Sequence, residues 1–145
     1  MTKKTFSKTL SANDVGIRSN QAGALIPKSK KELLAFLPPL DPSIKNPDAW
    51  IDCTDENGSM RRFRFVYYNN KLHDLGGTRN EYRITHMTSY FREMAAREGD
   101  IFEISKNGDN SNYTIKVIHL PKEPLKQENQ QFYRIRIKSD WRRVH

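Results

Sequence analysis

The sequence predicts a mainly β fold, with about seven strands closing as a single antiparallel barrel or sandwich flanked by two short helices. Three observations predict it. Short apolar runs rich in β-branched and aromatic residues recur along the chain, separated by clusters of Gly, Pro, Asn, Asp and Ser. Met60–Tyr68 and Phe132–Lys138 alternate with the period of two that half-exposed strands require. No βαβ alternation, internal repeat or linker interrupts the 145 residues.

The elements follow in order. Residues 5–10 are extended, and residues 11–23 are a polar loop rich in turn formers. Ala24-Leu25-Ile26 is a brief apolar run stopped by Pro27. Ser29 with Glu32 three residues later has the pattern of a capping box, opening a helix whose apolar face is Leu33, Leu34, Phe36 and Leu37. Pro38-Pro39 ends it, because proline cannot continue a helix. Trp50–Thr54 and Met60–Tyr68 flank Asn57-Gly58, a strong hairpin signal. Phe63, Phe65 and Tyr67 share one face of the second strand. Arg62, Arg64, Val66 and Tyr68 share the other. Residues 69–80 form a second long polar loop and residues 82–87 a strand. A helix over residues 89–97 turns Tyr90, Phe91 and Met94 inward. Strands at 101–104, 113–118 and 132–138 complete the set. Trp50 is expected in the core, and Cys53 is expected as a buried structural thiol.

Composition narrows the function. Twenty-five Lys and Arg against 17 Asp and Glu give a net charge of +8, a balance that favours polyanionic partners, nucleic acid first. Both halves of the chain carry the excess, so a basic face has to be assembled by folding. With one cysteine, the chain offers neither an internal disulfide nor a Cys-based zinc site, and a reducing compartment is expected. No apolar stretch approaches the roughly 20 residues of a membrane span. The N-terminus lacks the apolar segment of a secretory signal.

Catalytic patterns are missing. No Asp or Glu stands two residues before a Lys, the strand arrangement common in metal-dependent nucleases. Glu103 and Lys106 are one residue too far apart, which puts them on opposite faces of a strand. His73, His86, His119 and His145 have no metal-ligand spacing, and no Gly-x-Ser-x-Gly elbow or phosphate-binding loop occurs. No catalytic residue, metal site or cofactor is therefore expected.

The informative segment is Gly76–Arg83. It places Arg79, Asn80, Glu81 and Arg83 within five residues after a flexible Gly-Gly. Geometry pairs Arg with guanine, Asn with adenine and Glu with the cytosine amino group in the major groove. The same residues would also suit a solvated loop in which Glu81 and Arg83 pair with neighbours. Likewise Arg61, Arg62 and Arg64 suit either a phosphate-binding surface or a solvated strand face.

Two separated motifs add to this reading. One is Leu10-Ser-Ala-Asn-Asp-Val-Gly16, followed by Asn20-Gln-Ala-Gly23. The other is Thr78-Arg-Asn-Glu-Tyr-Arg-Ile-Thr85, preceded by Tyr67-Tyr-Asn-Asn70. In this order the chain resembles the N-terminal effector domain of EcoRII-type restriction endonucleases, closely over about residues 8–27 and 65–86. The resemblance implies a DNA-binding pseudobarrel like the plant B3 domain, gripping the major groove between two arms at residues 8–23 and 76–85. It implies a CCWGG target, where W is A or T, and a separate nuclease domain that lies outside these 145 residues and alone would use Mg²⁺. A monomer in the bacterial cytoplasm is expected. The chain departs from EcoRII at Asn20, where EcoRII has His, near Leu25, where it has Tyr, and at Gly77 and Tyr82, where it has Lys.

On this resemblance Arg79, Asn80, Glu81, Arg83, Asn13, Asp14, Asn20 and Gln21 are the expected base-reading residues. Asn80 reads a base or positions the arm. Lys8, Ser11, Arg18, Arg62, Arg64, Thr78, Tyr82 and Thr85 are the expected phosphate contacts, which position without specifying. A B3-like domain with another DNA target, or a non-specific nucleic-acid-binding or protein-docking barrel, stays open.

Overall fold

The structure is a computed structural model that describes residues 3–16, 22–108, 110–121 and 140–145. Its strands are β1 (Lys3–Thr9), β2 (Ala24–Ile26), β3 (Asp48–Thr54), β4 (Met60–Tyr68), β5 (Glu81–Thr85), β6 (Ile101–Asn107), β7 (Tyr113–Ile118) and β8 (Trp141–Arg143). Three short helices are α1 (Lys31–Phe36), α2 (Asn70–His73) and α3 (Thr88–Glu93). The eight strands form one sheet in the order β2-β5-β4-β3-β7-β6-β1-β8. Every pairing is antiparallel except the short β3–β7 contact.

The sheet curls into a nearly closed barrel. Its two end strands meet through one side chain, because the indole N–H of Trp141 in β8 donates to the Leu25 carbonyl of β2 at 2.9 Å. Inside lie Phe63, Phe65, Phe102, Ile104, Ile115 and Ile51, all buried. Tyr90 and Phe91 of α3 close one end, and Leu33 and Phe36 of α1 pack into the same core. The hairpin between β3 and β4 is held by the Asp55 carboxylate, which accepts the N–H groups of Asn57 and Ser59 and the Nε–H of Arg61, all at 2.9 Å. Gly58 supplies its left-handed turn residue, with φ +79°.

Several expectations are corrected here. Ser29 does not cap α1. The N–H of Lys30 donates to the Pro27 carbonyl at 3.0 Å, so a turn occupies residues 27–30 and the helix starts one residue later without a side-chain cap. Glu32 pairs instead with Arg143 of β8. The loop at 69–80 contains an additional helical turn, α2. The helix at 89–97 ends at Glu93, because Ala95 turns left-handed with φ +53°. Val66 is buried, unlike its expected companions on the outer face of β4. Trp50 is 46% exposed, on the outside of β3. The strand expected at Phe132–Lys138 lies outside the described residues.

Candidate nucleic-acid interface

The first arm is the loop from β1 to β2. Its root is a reciprocal pair: the Ser11 N–H donates to Asp14 Oδ2 at 2.9 Å, and the Asp14 N–H to Ser11 Oγ at 3.1 Å. The Lys8 ammonium lies on the same Asp14 carboxylate. Lys8 is only 4% exposed and Asp14 is buried. Their expected roles as phosphate contact and base reader are therefore corrected to an internal ion pair that fixes the arm. The reason is strand parity. Lys8 shares its face of β1 with the core residues Phe6 and Leu10 and stands opposite Phe102 and Trp141. The loop returns with the Gly23 N–H donating to the Asp14 carbonyl at 3.0 Å. At Gly23 a Cβ would lie 2.6 Å from the Ile84 carbonyl oxygen, so only glycine lets the arm dock there. Asn13 stays exposed on the arm. Arg18, Asn20 and Gln21 lie outside the described residues.

The second arm joins β4 to β5. Its anchor is Asn69, fully buried, whose amide donates to the carbonyls of Pro42 and Ile44 and accepts the Asn46 N–H. Next to it, Asn70 Oδ1 accepts the N–H of Arg79 at 2.8 Å, and the Lys71 N–H donates back to the Arg79 carbonyl at 3.0 Å. The chain passes so close that a Cβ on Gly77 would lie 2.3 Å from the Asn70 carbonyl oxygen. These contacts leave the Arg79 guanidinium outside, stacked 3.8 Å above the ring of Tyr68.

Glu81 organises the arginines. Its Oε2 accepts the Nε–H of Arg83 at 2.5 Å and an N–H of Arg79 at 3.4 Å. Burial disfavours the ionised carboxylate, but the Arg83 hydrogen bond and both positive charges outweigh it and hold its pKa below the ordinary value. A guanidinium has five N–H donors, so each arginine keeps donors for a base edge. Asn80 Oδ1 accepts the Tyr67 hydroxyl at 2.5 Å, which suits the positioning role. Tyr82 is corrected. It alternates with Glu81 and Arg83, and its ring packs on the core face against Tyr67 (4.2 Å, nearly parallel) and Phe65. It does not share the outer face that phosphate contacts require.

Between the arms lies an open cleft of about 640 Å³. Asn13 lines it from the first arm, Arg79 and Arg83 from the second, and Thr85 from β5. Tyr68, His86 and Thr88 also line it, none of them among the expected DNA contacts. Tyr68 had two signals in the sequence, the strand face it shares with Arg64 and its place in the Tyr67–Asn70 motif. His86 carries a left-handed backbone, φ +67°, unusual for a non-glycine residue and common at functional sites. Beyond the cleft the outer sheet face continues through Arg64 and Arg62. They are paired with Asp48 (2.6 Å) and Asp52 (3.2 Å), so the acids partly neutralise that surface. Ser11 is half-buried in its turn, and Thr78 is exposed next to Arg79.

The arrangement offers planar donors, one carboxylate acceptor and amides, the chemistry of base-edge recognition. Among the described residues no group of His, Cys, Asp and Glu is placed to hold a metal ion. Cys53 is buried in the barrel, and burial first, then the neighbouring Asp52 charge, pushes its thiol up to about 12.

A family model described as "Restriction endonuclease EcoRII, N-terminal" matches residues 2–123. Among solved structures, the Arabidopsis FUS3–DNA complex is similar with a TM-score of 0.60 at 21% identity, covering 79% of this chain and 96% of that one. The fold is thus a B3-like pseudobarrel. No curated protein matches the chain.

Proposed function

The chain belongs to the family of the EcoRII restriction endonuclease N-terminal domain, and from this premise we propose that it is a non-catalytic effector domain that binds double-stranded DNA at CCWGG through its two arms. The observation that carries the proposal is the cleft that gathers Asn13, Arg79 and Arg83 on one face, with Glu81 between the arginines. Arg79 and Arg83 read guanines, and Glu81 accepts from a cytosine amino group. Asn13 makes the polar contact of the first arm, and Asn20 and Gln21 are assigned to the same arm. Thr85, Thr78 and Arg18 take phosphates. Arg64 and Arg62 join them by exchanging Asp48 and Asp52 for phosphate oxygens. A net charge of +8 supplies the sequence-independent attraction. The domain acts as a monomer in the bacterial cytoplasm. It needs no cofactor itself and is partnered by a nuclease domain that uses Mg²⁺.

Gly77 favours a second reading, the same domain with another DNA target. EcoRII has a lysine there, and the tight approach to Asn70 leaves no room for a side chain here. The phosphate contacts of the second arm therefore differ.

Titration with a CCWGG duplex and a scrambled duplex at two salt concentrations tests the proposal. A preference of ~10³-fold or more at physiological salt is the expected result. A similar preference for another duplex sequence supports the second reading. Equal affinity that fades steeply with salt would reduce the protein to a basic barrel holding phosphates.

A further inference from the structure

Trp50 is a large apolar side chain left 46% exposed on a barrel with a full core. It does not stand alone. The His86 ring lies edge-on to the indole at a centroid distance of 5.0 Å, and the Arg62 guanidinium sits 5.8 Å from its centre. Cross-strand register joins the group to the cleft: Trp50 of β3 is opposite Arg64 of β4, and Arg64 is opposite Thr85 of β5. Thr85 and His86 line the cleft themselves. Thr85 Oγ1 also lies 2.9 Å from His86 Nδ1, so the imidazole is held from both sides in its left-handed backbone position.

We infer that Trp50, with His86 and Arg62, seats the deoxyribose–phosphate backbone that flanks the recognised base pairs, extending the DNA footprint beyond the two arms. This rests on the DNA-binding reading above. An indole offers a flat apolar surface to a sugar and one N–H to a phosphate oxygen, and the neighbouring imidazole and guanidinium supply further donors. Continuity with the cleft selects the occupant, because a duplex lying between the arms leads along the row Thr85–Arg64–Trp50. Asp52 and Asp48 hold Arg62 and Arg64 in the free protein. Phosphate has to displace them, which keeps the contact modest and salt-sensitive.

The chain has two tryptophans, and Trp141 is 2% exposed, so acrylamide quenching of fluorescence reports Trp50. The test compares a duplex ending at the recognition site with one extended by about half a helical turn on each side. The extended duplex is expected to shield Trp50 and bind several-fold tighter, and Trp50→Ala to abolish that gain. If Trp50 stays equally quenchable with the extended duplex, or Trp50→Ala keeps the gain, the flanking seat is wrong while the arms stand. If neither duplex is preferred over its scrambled version, the DNA reading itself fails and takes the seat with it.

Discussion

Arg79 reaches the cleft already oriented, its guanidinium stacked on Tyr68 and tethered through Glu81. Preorganisation of this kind lowers the side-chain entropy lost on binding. Tyr68 is thus a positioning residue. Tyr68→Ala is expected to weaken cognate binding by roughly tenfold, in line with a cation–π contact of about 1–2 kcal/mol, while Tyr68→Phe keeps most of the affinity. Parallel titration with cognate and scrambled duplexes checks it. Equal losses on both would show Tyr68 to support the barrel rather than the arginine. At this scale the fold brings three of the expected base readers, Arg79, Arg83 and Asn13, to the cleft lining, with Glu81 between the arginines. The sequence reading misjudged Lys8, Tyr82 and Trp50, whose types say little about which face they occupy.

Each arm is fixed at its root. In the first, the buried Lys8–Asp14 pair does the fixing, and removing one partner of such a pair typically costs about 3–5 kcal/mol. Asp14→Ala is therefore expected to lower the unfolding free energy by that order, measured by denaturant titration. A change below about 0.5 kcal/mol, as at an ordinary surface site, would place the pair in solvent. In the second arm the close approach at Gly77 is the constraint. Gly77→Ala must push residue 77 away from the Asn70 backbone, disturbing the Arg79–Asn70 bonds. The expected outcome is a loss of stability of about 1–3 kcal/mol together with weaker cognate binding. Unchanged affinity would mean that the arm tolerates a different path. Both loops were legible as polar, turn-rich segments. The helical turn α2 inside the second was not, because four residues carry too little periodicity to announce a helix.

The whole barrel is locked at several points far apart in sequence, of which Asp100 is one. Its carboxylate accepts the N–H groups of Arg97 (3.0 Å) and Leu120 (3.2 Å) and lies 2.8 Å from His119 Nδ1. Burial raises its pKa, but the His119 hydrogen bond and the two backbone donors outweigh that and hold it below the ordinary value. A folded pKa below the unfolded one adds stability that is fully present above about pH 4 and lost as pH falls through the folded value. Unfolding free energies measured from neutral pH downward are expected to fall in that acid range, and Asp100→Asn is expected to flatten the fall. An identical acid profile in the variant would remove Asp100 from the account.

The sequence by itself determined the β class, the places of most strands though not β8, two long polar loops and the absence of recognisable catalytic patterns. These are local properties: alternation, turn chemistry and residue type act over a few positions. What only the tertiary structure decided is which face of each strand is covered. Alternation divides β5 into two sets, but pairing with β4 and packing on Tyr67 send Tyr82 inward and leave Arg83 outward. Lys8 shares parity with Phe6 and Leu10, and it is accommodated among them because the first arm returns Asp14 to its ammonium. Trp50 stays outside because Ile51 and Cys53 occupy the interior face of β3. The cleft likewise exists only in the fold. Asn13 and Arg79 are distant in sequence, and the barrel brings them to one surface by placing β2 beside β5.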